Sequence, residues 1–453
     1  MKKRSTFAFG FIALILVGAV LLSAPWSRTA GGWGDYSSAL FTATSAVCVT
    51  GLTVVDIAKE YTLAGQITLI CLVEVGCLGL IAFGTFLMIA IGRRLSLSKE
   101  FSLMNAYGVE QVHGLTGLVS WVIGSMLFIE GLGTVALYHR FHDWYLSFFY
   151  SVMGFCNAGF GILPGSLSSF ASDPYVLFVE ATLTILGGIG FLVIYNLCTF
   201  WFLRRRSGGK GRLSLHSRVV LRFSLYLLVF AFAVFLFLEW NGALKEYPFW
   251  QKLYIGFYQS VTPRTCGFCV IPTEDLTPLT RLVYEVLMFI GGAPGSAAAG
   301  IKVTTLAVLI YTLRAICRGE SETVISRRVI SYDTVRESII IFMAVVALIV
   351  ITMGCLLFTE SDNAAFFTTG IASGNTAHHA LRTSHLFFEA VSAITTTGLS
   401  CGDTTKLLSP HGRIVIMVAM FLGRLGALSV VMLIGDRETV HHIRYPNEEL
   451  VVG

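Results

Sequence analysis

Four glycines of this chain sit in one recurring pattern, and a glycine-centred turn suits one chemistry well: presenting backbone oxygens to a cation. The segments FTATSAVCVTGLT (41–53), FYSVMGFCNAGFG (149–161), FYQSVTPRTCGFC (257–269) and FEAVSAITTTGLS (388–400) each place a Phe ten residues before a Gly and a Leu or Phe directly after it. The glycines are Gly51, Gly159, Gly267 and Gly398, at intervals of 108, 108 and 131 residues. Only a residue without Cβ readily takes the unusual φ/ψ that turns carbonyls toward an axis, and rings of carbonyls can replace a cation's hydration shell. One such glycine reads as a helix cap or a packing position. Four in the same relative place point to a pore lined by a single polypeptide.

The elements that must position these turns are membrane helices. Of 453 residues, 55% are hydrophobic and only 13% charged, with a mean hydropathy of +0.74. Soluble domains carry about a quarter charged residues, so the composition implies a polytopic membrane protein. A helical span needs about 20 apolar residues. The pattern predicts eight, near 7–24, 62–91, 115–137, 175–203, 219–240, 282–311, 335–358 and 413–434. The first follows Met1-Lys2-Lys3-Arg4 and has the outline of a signal peptide, but no clear small-residue cleavage site follows, so it is read as a span. Most of the 32 basic residues then fall on the side of the N-terminus, which predicts a multi-pass protein of the cell membrane with both termini cytoplasmic. The net charge of +5 thus reports topology; the basic residues are split among loops without interleaved aromatics, and nucleic acid is not an expected partner.

Each repeat runs as an apolar helix, a half-hydrophobic segment too short to span, the Gly turn and a second apolar helix. The modules are 1–94, 112–206, 216–318 and 333–436, followed by a cytoplasmic tail at 437–453. A re-entrant loop is tolerated at membrane depth only where protein covers it or it lines a watery cavity. The expected fold is therefore an all-α polytopic membrane protein whose four helix–re-entrant loop–helix modules surround a pseudo-fourfold central pore. No soluble domain of useful size is present, so any nucleotide-sensing domain must belong to another chain. The ten cysteines are scattered singly and suggest no disulfide framework. Cys266-Gly-Phe-Cys269 matches CxxC, but it lacks a second pair or a nearby His and reads as part of the third repeat. Paired acids, a nucleophile with its base, or a convincing ligand set at membrane depth are not found, which speaks against a membrane-embedded enzyme.

The third module holds a second feature. As one helix, 281–316 would be about 54 Å long at 1.5 Å per residue, against about 30 Å of hydrocarbon. At its middle lies GGAPGSAAAG (291–300), where Pro294 removes a donor and each interior glycine costs roughly 1 kcal/mol. The helix is expected to break there into a small-residue loop inside the membrane. Arg424 falls near the middle of the last predicted span, too deep to snorkel comfortably. It is expected to face the cavity, to raise the barrier for a cation and to bind the loop's carbonyls. Lys302 follows the loop at similar depth.

Together these segments resemble the Trk/Ktr/HKT superfamily of potassium transporters, and specifically the KtrB-type membrane subunit. The resemblance covers essentially the whole chain. It rests on TATSAVCVTGLTVVD (42–56), CNAGF (156–160), QSVTPRTCGF (259–268), FIGGAPGSAAAGIKVTT (289–305), FLGRLGALS (421–429) and the tail from Arg444 through Glu449 to Gly453. It implies a potassium filter made by Cys48, Val49, Thr50 and Gly51; Cys156, Asn157, Ala158 and Gly159; Arg264, Thr265, Cys266 and Gly267; and Thr395, Thr396, Thr397 and Gly398. It assigns gating to the loop with Gly291, Gly292, Gly295, Ser296 and Gly300, alongside Lys302 and Arg424. It further implies a homodimer in the membrane, a cytosolic ring of nucleotide-binding regulatory subunits (KtrA-like), potassium as the transported ion and no covalently bound cofactor. Glycine at all four turns favours potassium over sodium. Sodium as the carried, coupled or activating ion of the same architecture is the alternative.

Glu74 and Cys77 stand where the family more often has Gln and Gly, and Ala299 and Ala427 replace a commoner Gly and Pro. Cysteines near the turns (Cys48, Cys156, Cys266, Cys269 and Cys401) predict inhibition by external thiol reagents or silver, with Cys266 or Cys269 as targets. Glu389 is expected to cap the fourth short helix, with attraction of cations near the pore mouth as the alternative, and His378, His379 and His385 read as solvated residues of an outer loop rather than as a zinc site.

Overall fold

The structure, a computed structural model, describes residues 2–79, 115–163, 165–206, 213–361, 363, 376–402 and 404–426. The expected tail 437–453, the ends of the second and eighth spans (80–91 and 427–434), the departure at Ala427 and the side chains of His378 and His379 lie outside the described residues.

The described chain is mostly helical. The first quarter holds α1 (Lys2–Ser23), the short α2 (Tyr36–Val47) and α3 (Leu63–Leu78), and the second holds α4 (Leu115–Phe141), α5 (Trp144–Cys156), α6 (Pro174–Ile189) and α7 (Phe191–Arg206). The third contains α8 (Leu215–Glu239), α9 (Phe249–Val261), α10 (Pro278–Phe289) and α11 (Val303–Cys317); the fourth, α12 (Tyr332–Thr359), α13 (Thr376–Ile394) and α14 (Pro410–Leu425). A two-stranded hairpin, β1 (Val324–Ile325) with β2 (Arg328–Val329), bridges the third and fourth quarters.

Local chemistry sets where the helices start. Asp35 and Asp143 cap α2 and α5 through backbone N–H groups one turn in. Each second helix is also capped by a side chain: Thr62, Asp173, Thr277 and Ser409 accept from N–H groups of α3, α6, α10 and α14. Three of these helices begin with proline, whose missing donor costs nothing at the first helical position. Glu239 and Glu360, at the ends of α8 and α12, accept from Thr277 and Ser409, tying the first helix of a quarter to the cap of its second.

Packing between quarters repeats in one sense. Helix α3 packs on α5, α6 on α9, α10 on α13, and α14 back on α2, so the second helix of each quarter supports the short helix of the next and the circuit closes.

Among the described residues, Val119–Phe141, Leu215–Glu239 and Tyr332–Thr359 are long and apolar enough to cross a membrane unaided, while Leu63–Leu78 and Val303–Cys317 are shorter apolar helices. The predicted span 175–203 is not one straight helix. Here α6 and α7 form a pair bent by 98°, because Gly190 takes φ +94° and the backbone exposed beside it is used by another segment, described below.

Candidate functional site

The four glycine turns meet in a closed ring. Gly51, Gly159, Gly267 and Gly398 have φ of +92°, +60°, +84° and +86°. A Cβ added to any one of them would run into the next turn. At Gly51 it would fall on the Ala158 carbonyl oxygen, at Gly159 it would lie 3.0 Å from Cys266 O, at Gly267 2.7 Å from Thr397 O, and at Gly398 it would fall on Thr50 O. Each glycine therefore abuts the carbonyl of the residue preceding the following glycine, and the fourth returns to the first.

The backbone alternates within every turn. Two residues before each glycine, Val49, Asn157, Thr265 and Thr396 have φ of +55°, +56°, +76° and +47°. Left-handed non-glycine residues cost of order 1–3 kcal/mol each and persist only where the surroundings over-determine them. Here the restraint is hydrogen bonding back to the short helices. The N–H groups of Thr50, Ala158 and Thr397 donate to Ser45 O (2.8 Å), Met153 O (2.9 Å) and Ser392 O (2.9 Å), and Cys266 N donates to Thr262 O (3.0 Å). Gly51 and Gly398 also donate to the Oγ of Ser45 (3.0 Å) and Ser392 (3.1 Å). The short helices α2, α5, α9 and α13 stop immediately before the turns, so the partial negative charge of four helix C-termini lies close to the ring. Ser38 donates to Asp35 Oδ2 at 2.7 Å at the far end of α2 and holds that carboxyl below its usual range.

Side chains of the ring residues are almost all buried, and Thr50 Oγ1, Thr265 Oγ1, Thr396 Oγ1 and both amide atoms of Asn157 have no hydrogen-bond partner among the described residues. Buried polar atoms are normally satisfied by protein or by an ordered water. The Arg264 guanidinium leaves the ring altogether and donates to Ser224 O and Oγ on α8, each at 3.3 Å.

Two readings change. Glu389 lies inside α13, which begins at Thr376, and so cannot cap it; it accepts from Cys401 N (3.3 Å), Thr405 Oγ1 (2.9 Å) and Ser400 Oγ, fastening the chain that leaves the fourth turn. Cys266 is fully buried and 3.2 Å from Thr184 Oγ1. Cys48, Cys156 and Cys401 are also buried, whereas Cys269 is partly exposed. Inhibition by an external thiol reagent is therefore expected to vanish in Cys269→Ser and to persist in Cys266→Ser, as read by mass-spectrometric labelling and flux on the same sample.

A second set of glycines, of which the sequence reading had only Gly292 and Gly295, recurs behind the ring. Gly76-x-x-Gly79, Gly187-x-x-Gly190, Gly292-x-x-Gly295 and Gly423-x-x-Gly426 follow the ring glycines by 25, 28, 25 and 25 residues, and the later glycines have φ of +76°, +94°, +67° and +82°. A Cβ at Gly76, Gly187 or Gly423 would fall on the carbonyl of Val47, Phe155 or Ile394, so in these three quarters the second helix rests against the C-terminus of its own short helix. The signal lay in the recurring Gly-x-x-Gly, which alone reads as helix packing.

In the third quarter the break widens into a loop. Helix ends at Phe289 and resumes at Val303. The loop is fastened to the bend of the second quarter: Ala293 N donates to Gly188 O (3.0 Å), Ala297 N to Gly187 O (3.3 Å) and Phe191 N to Gly295 O (3.1 Å). Ser296 Oγ donates to Ala293 O at 2.6 Å and Lys302 Nζ to Ala298 O at 2.6 Å. Arg424 spans three quarters, donating to Ala297 O (2.6 Å) in the loop and to Gly76 O (2.6 Å) and Cys77 O (3.4 Å) at the end of α3. Thus Arg424 and Lys302 both bind carbonyls of the loop, and Gly291 and Gly300 are in close backbone approach to each other.

The chain is similar to known cation transport proteins. The TrkH family, described as cation transport protein, matches residues 26–437. The potassium/sodium uptake protein NtpJ of Enterococcus hirae is 32% identical over 100% of this chain and 99% of its own length. The Ktr system potassium uptake protein B of Bacillus subtilis is 33% identical over 98% of this chain and 96% of its own. Among solved structures, the potassium transporter TrkH of Vibrio parahaemolyticus superposes with a TM-score of 0.72 at 15% identity, covering 96% of this chain and 86% of that one.

Proposed function

This chain belongs to the TrkH family of cation transport proteins, and on that premise we propose that it takes up potassium through the ring of four glycine turns. It is a membrane-protein family of transporters, not enzymes. The observation that carries the proposal is the alternation of left-handed backbone at the glycine and two residues before it, repeated in all four turns. In an extended chain successive carbonyls point to opposite sides, and alternating the sign of φ brings them to one side, where they can act as a cation's hydration shell. The ion-binding residues proposed are those at 48–51, 156–159, 264–267 and 395–398. The C-terminal ends of the four short helices add attraction for a positive ion.

On this reading the chain comprises four helix–loop–helix modules with eight spans, lies in the cell membrane with both termini cytoplasmic and works as a homodimer. The loop at 290–302 is the gate. Arg424 closes it by holding the Ala297 carbonyl, and Lys302 by holding that of Ala298. A cytosolic nucleotide-binding subunit moves it, consistent with relatives named as parts of a Ktr system.

The test is complementation of a potassium-uptake-deficient cell. The parent chain should restore growth at low potassium, and Gly51→Ser should weaken that rescue while admitting more sodium. Failure of the parent to rescue, with the protein present in the membrane, overturns the proposal. The name of the Enterococcus hirae relative favours sodium as the second reading; uptake driven equally by sodium replacement would select it.

A further inference from the structure

At the back of the second turn, a cluster of metal-ligating groups among the described residues joins Cys156 of the ring to two carboxylates that have no role so far. Glu74 of α3, Glu130 of α4 and Cys156 at the end of α5 bring a carboxylate oxygen each and a thiol sulfur within 4.8 Å of one another. Cys156 Sγ is 3.8 Å from Glu130 Oε1. Glu130 is 1% exposed, and no donor among the described residues reaches its Oε2. Two carboxylates this close repel when both are charged, and a buried carboxylate with one oxygen unpartnered is costly. A shared proton relieves both costs, and so does a divalent cation.

The donor set selects the kind of cation. One thiolate and two carboxylates suit a borderline or soft ion better than magnesium or calcium, which take oxygen ligands only. Zinc at about 2.3 Å from sulfur and 2.0–2.2 Å from oxygen puts a sulfur and an oxygen ligand about 3.5 Å apart in a tetrahedron, close to the Cys156–Glu130 separation. Glu74 lies on the wall of a cavity of about 500 Å³ among α3, α4 and α5, and two further sulfur side chains, Cys71 and Met126, line the same cavity.

We propose that Glu74, Glu130 and Cys156 form a binding site for a thiophilic divalent cation, zinc or cadmium, which clamps the first quarter to the back of the second glycine turn. Cys156 directly precedes Asn157, a left-handed residue of the ring, and Glu74 and Glu130 come from helices of two different quarters. A bound ion thus links the ring's support across the joint between those quarters and should slow flux without entering the pore.

The experiment uses the full-length protein in lipid nanodiscs, dialysed against cadmium, with bound metal counted by mass spectrometry and the thiolate-to-cadmium charge-transfer band recorded in the ultraviolet. The parent should bind with that band present; Cys156→Ser should lose the band, and Glu130→Gln and Glu74→Gln should bind at least about tenfold more weakly, since losing even an outer-shell partner costs about 10–100-fold. Cadmium should lower potassium uptake by the parent, and Glu74→Gln should be less sensitive relative to its own metal-free rate. Equal binding by the parent and by Glu74→Gln, the partly exposed member of the set, overturns the site even where the Glu130 variant fails to fold. A parent that binds no cadmium would mean that the two carboxyls merely share a proton, and would overturn it as well.

Discussion

The glycine ring and the helix breaks behind it are built from the same four repeats, yet they keep different amounts of likeness. In the ring all four turns have a positive φ at the glycine and two residues before it. In the breaks the later glycine of each Gly-x-x-Gly is left-handed in every quarter, but the continuations diverge. The second quarter bends by 98° and continues as α7, while the third opens into a loop held by side chains of Lys302 and Arg424. Coordination of one ion on an axis requires equal contributions from every side. If the loop is the gate, as proposed, only one element need move, with the others as its frame, so asymmetry is tolerated there.

The sharpest way to break the comparison is to spoil one member of the ring. Gly398→Ala must place a Cβ on the Thr50 carbonyl at a φ of +86°, and the backbone strain alone is about 1–3 kcal/mol. Potassium uptake should fall at least tenfold, since about 1.4 kcal/mol is one decade. Gly354→Ala, on α12 with nothing within 4 Å of the added Cβ, is the control and should leave uptake unchanged. Equal uptake by both variants, measured with a rubidium tracer, would remove the ring from the transport path.

Substitutions in the breaks should act in the opposite direction. Arg424→Ala removes the hydrogen bonds to Ala297 O and Gly76 O, each a charge-assisted bond worth about 1.5–3 kcal/mol. Potassium leak without the regulatory partner is expected to rise several-fold, with the preference for potassium over sodium unchanged. Arg424→Lys should lie between, because an ammonium group cannot match the planar fork that reaches two carbonyls. Reduced flux in a folded Arg424→Ala protein would make this residue structural and leave Lys302 to hold the loop.

How much of this was legible in the sequence follows from the same contrast. The four turns were readable because the backbone there excludes Cβ, so Gly51, Gly159, Gly267 and Gly398 could not drift. The residues that rest beside them were readable only by position: nothing in Val49 or Thr265 announces a left-handed backbone. The bend at Gly190 was missed because Pro174–Ile189 and Phe191–Arg206 are both apolar, and hydropathy does not register a change of direction between them. The role of Glu389 was misread because the start of α13 lies well before the last apolar stretch. The docking of Ala293 and Ala297 on Gly187 and Gly188 is backbone to backbone, and such contacts leave no side-chain signature at all.

The smallest expected effect tests whether the ring's likeness is complete. Turns one and four carry a serine whose Oγ accepts from the glycine N–H, Ser45 for Gly51 and Ser392 for Gly398, whereas the second and third place Met153 and Val261 at that position. Removing the hydroxyl leaves a donor unpaired, buried at Gly51 and part-buried at Gly398, at up to about 1–3 kcal/mol. Part of that is recoverable, because Thr50 N and Thr397 N keep their bonds to the carbonyls of Ser45 and Ser392. Ser45→Ala and Ser392→Ala should therefore each lower potassium-over-sodium preference by a few-fold, and Ser→Thr at either site should restore it. Gly398 abuts the Thr50 carbonyl, so the two sites share a boundary and the double variant should depart from additivity. Additive losses in ion-competition uptake would mean that turns one and four hold their glycines independently.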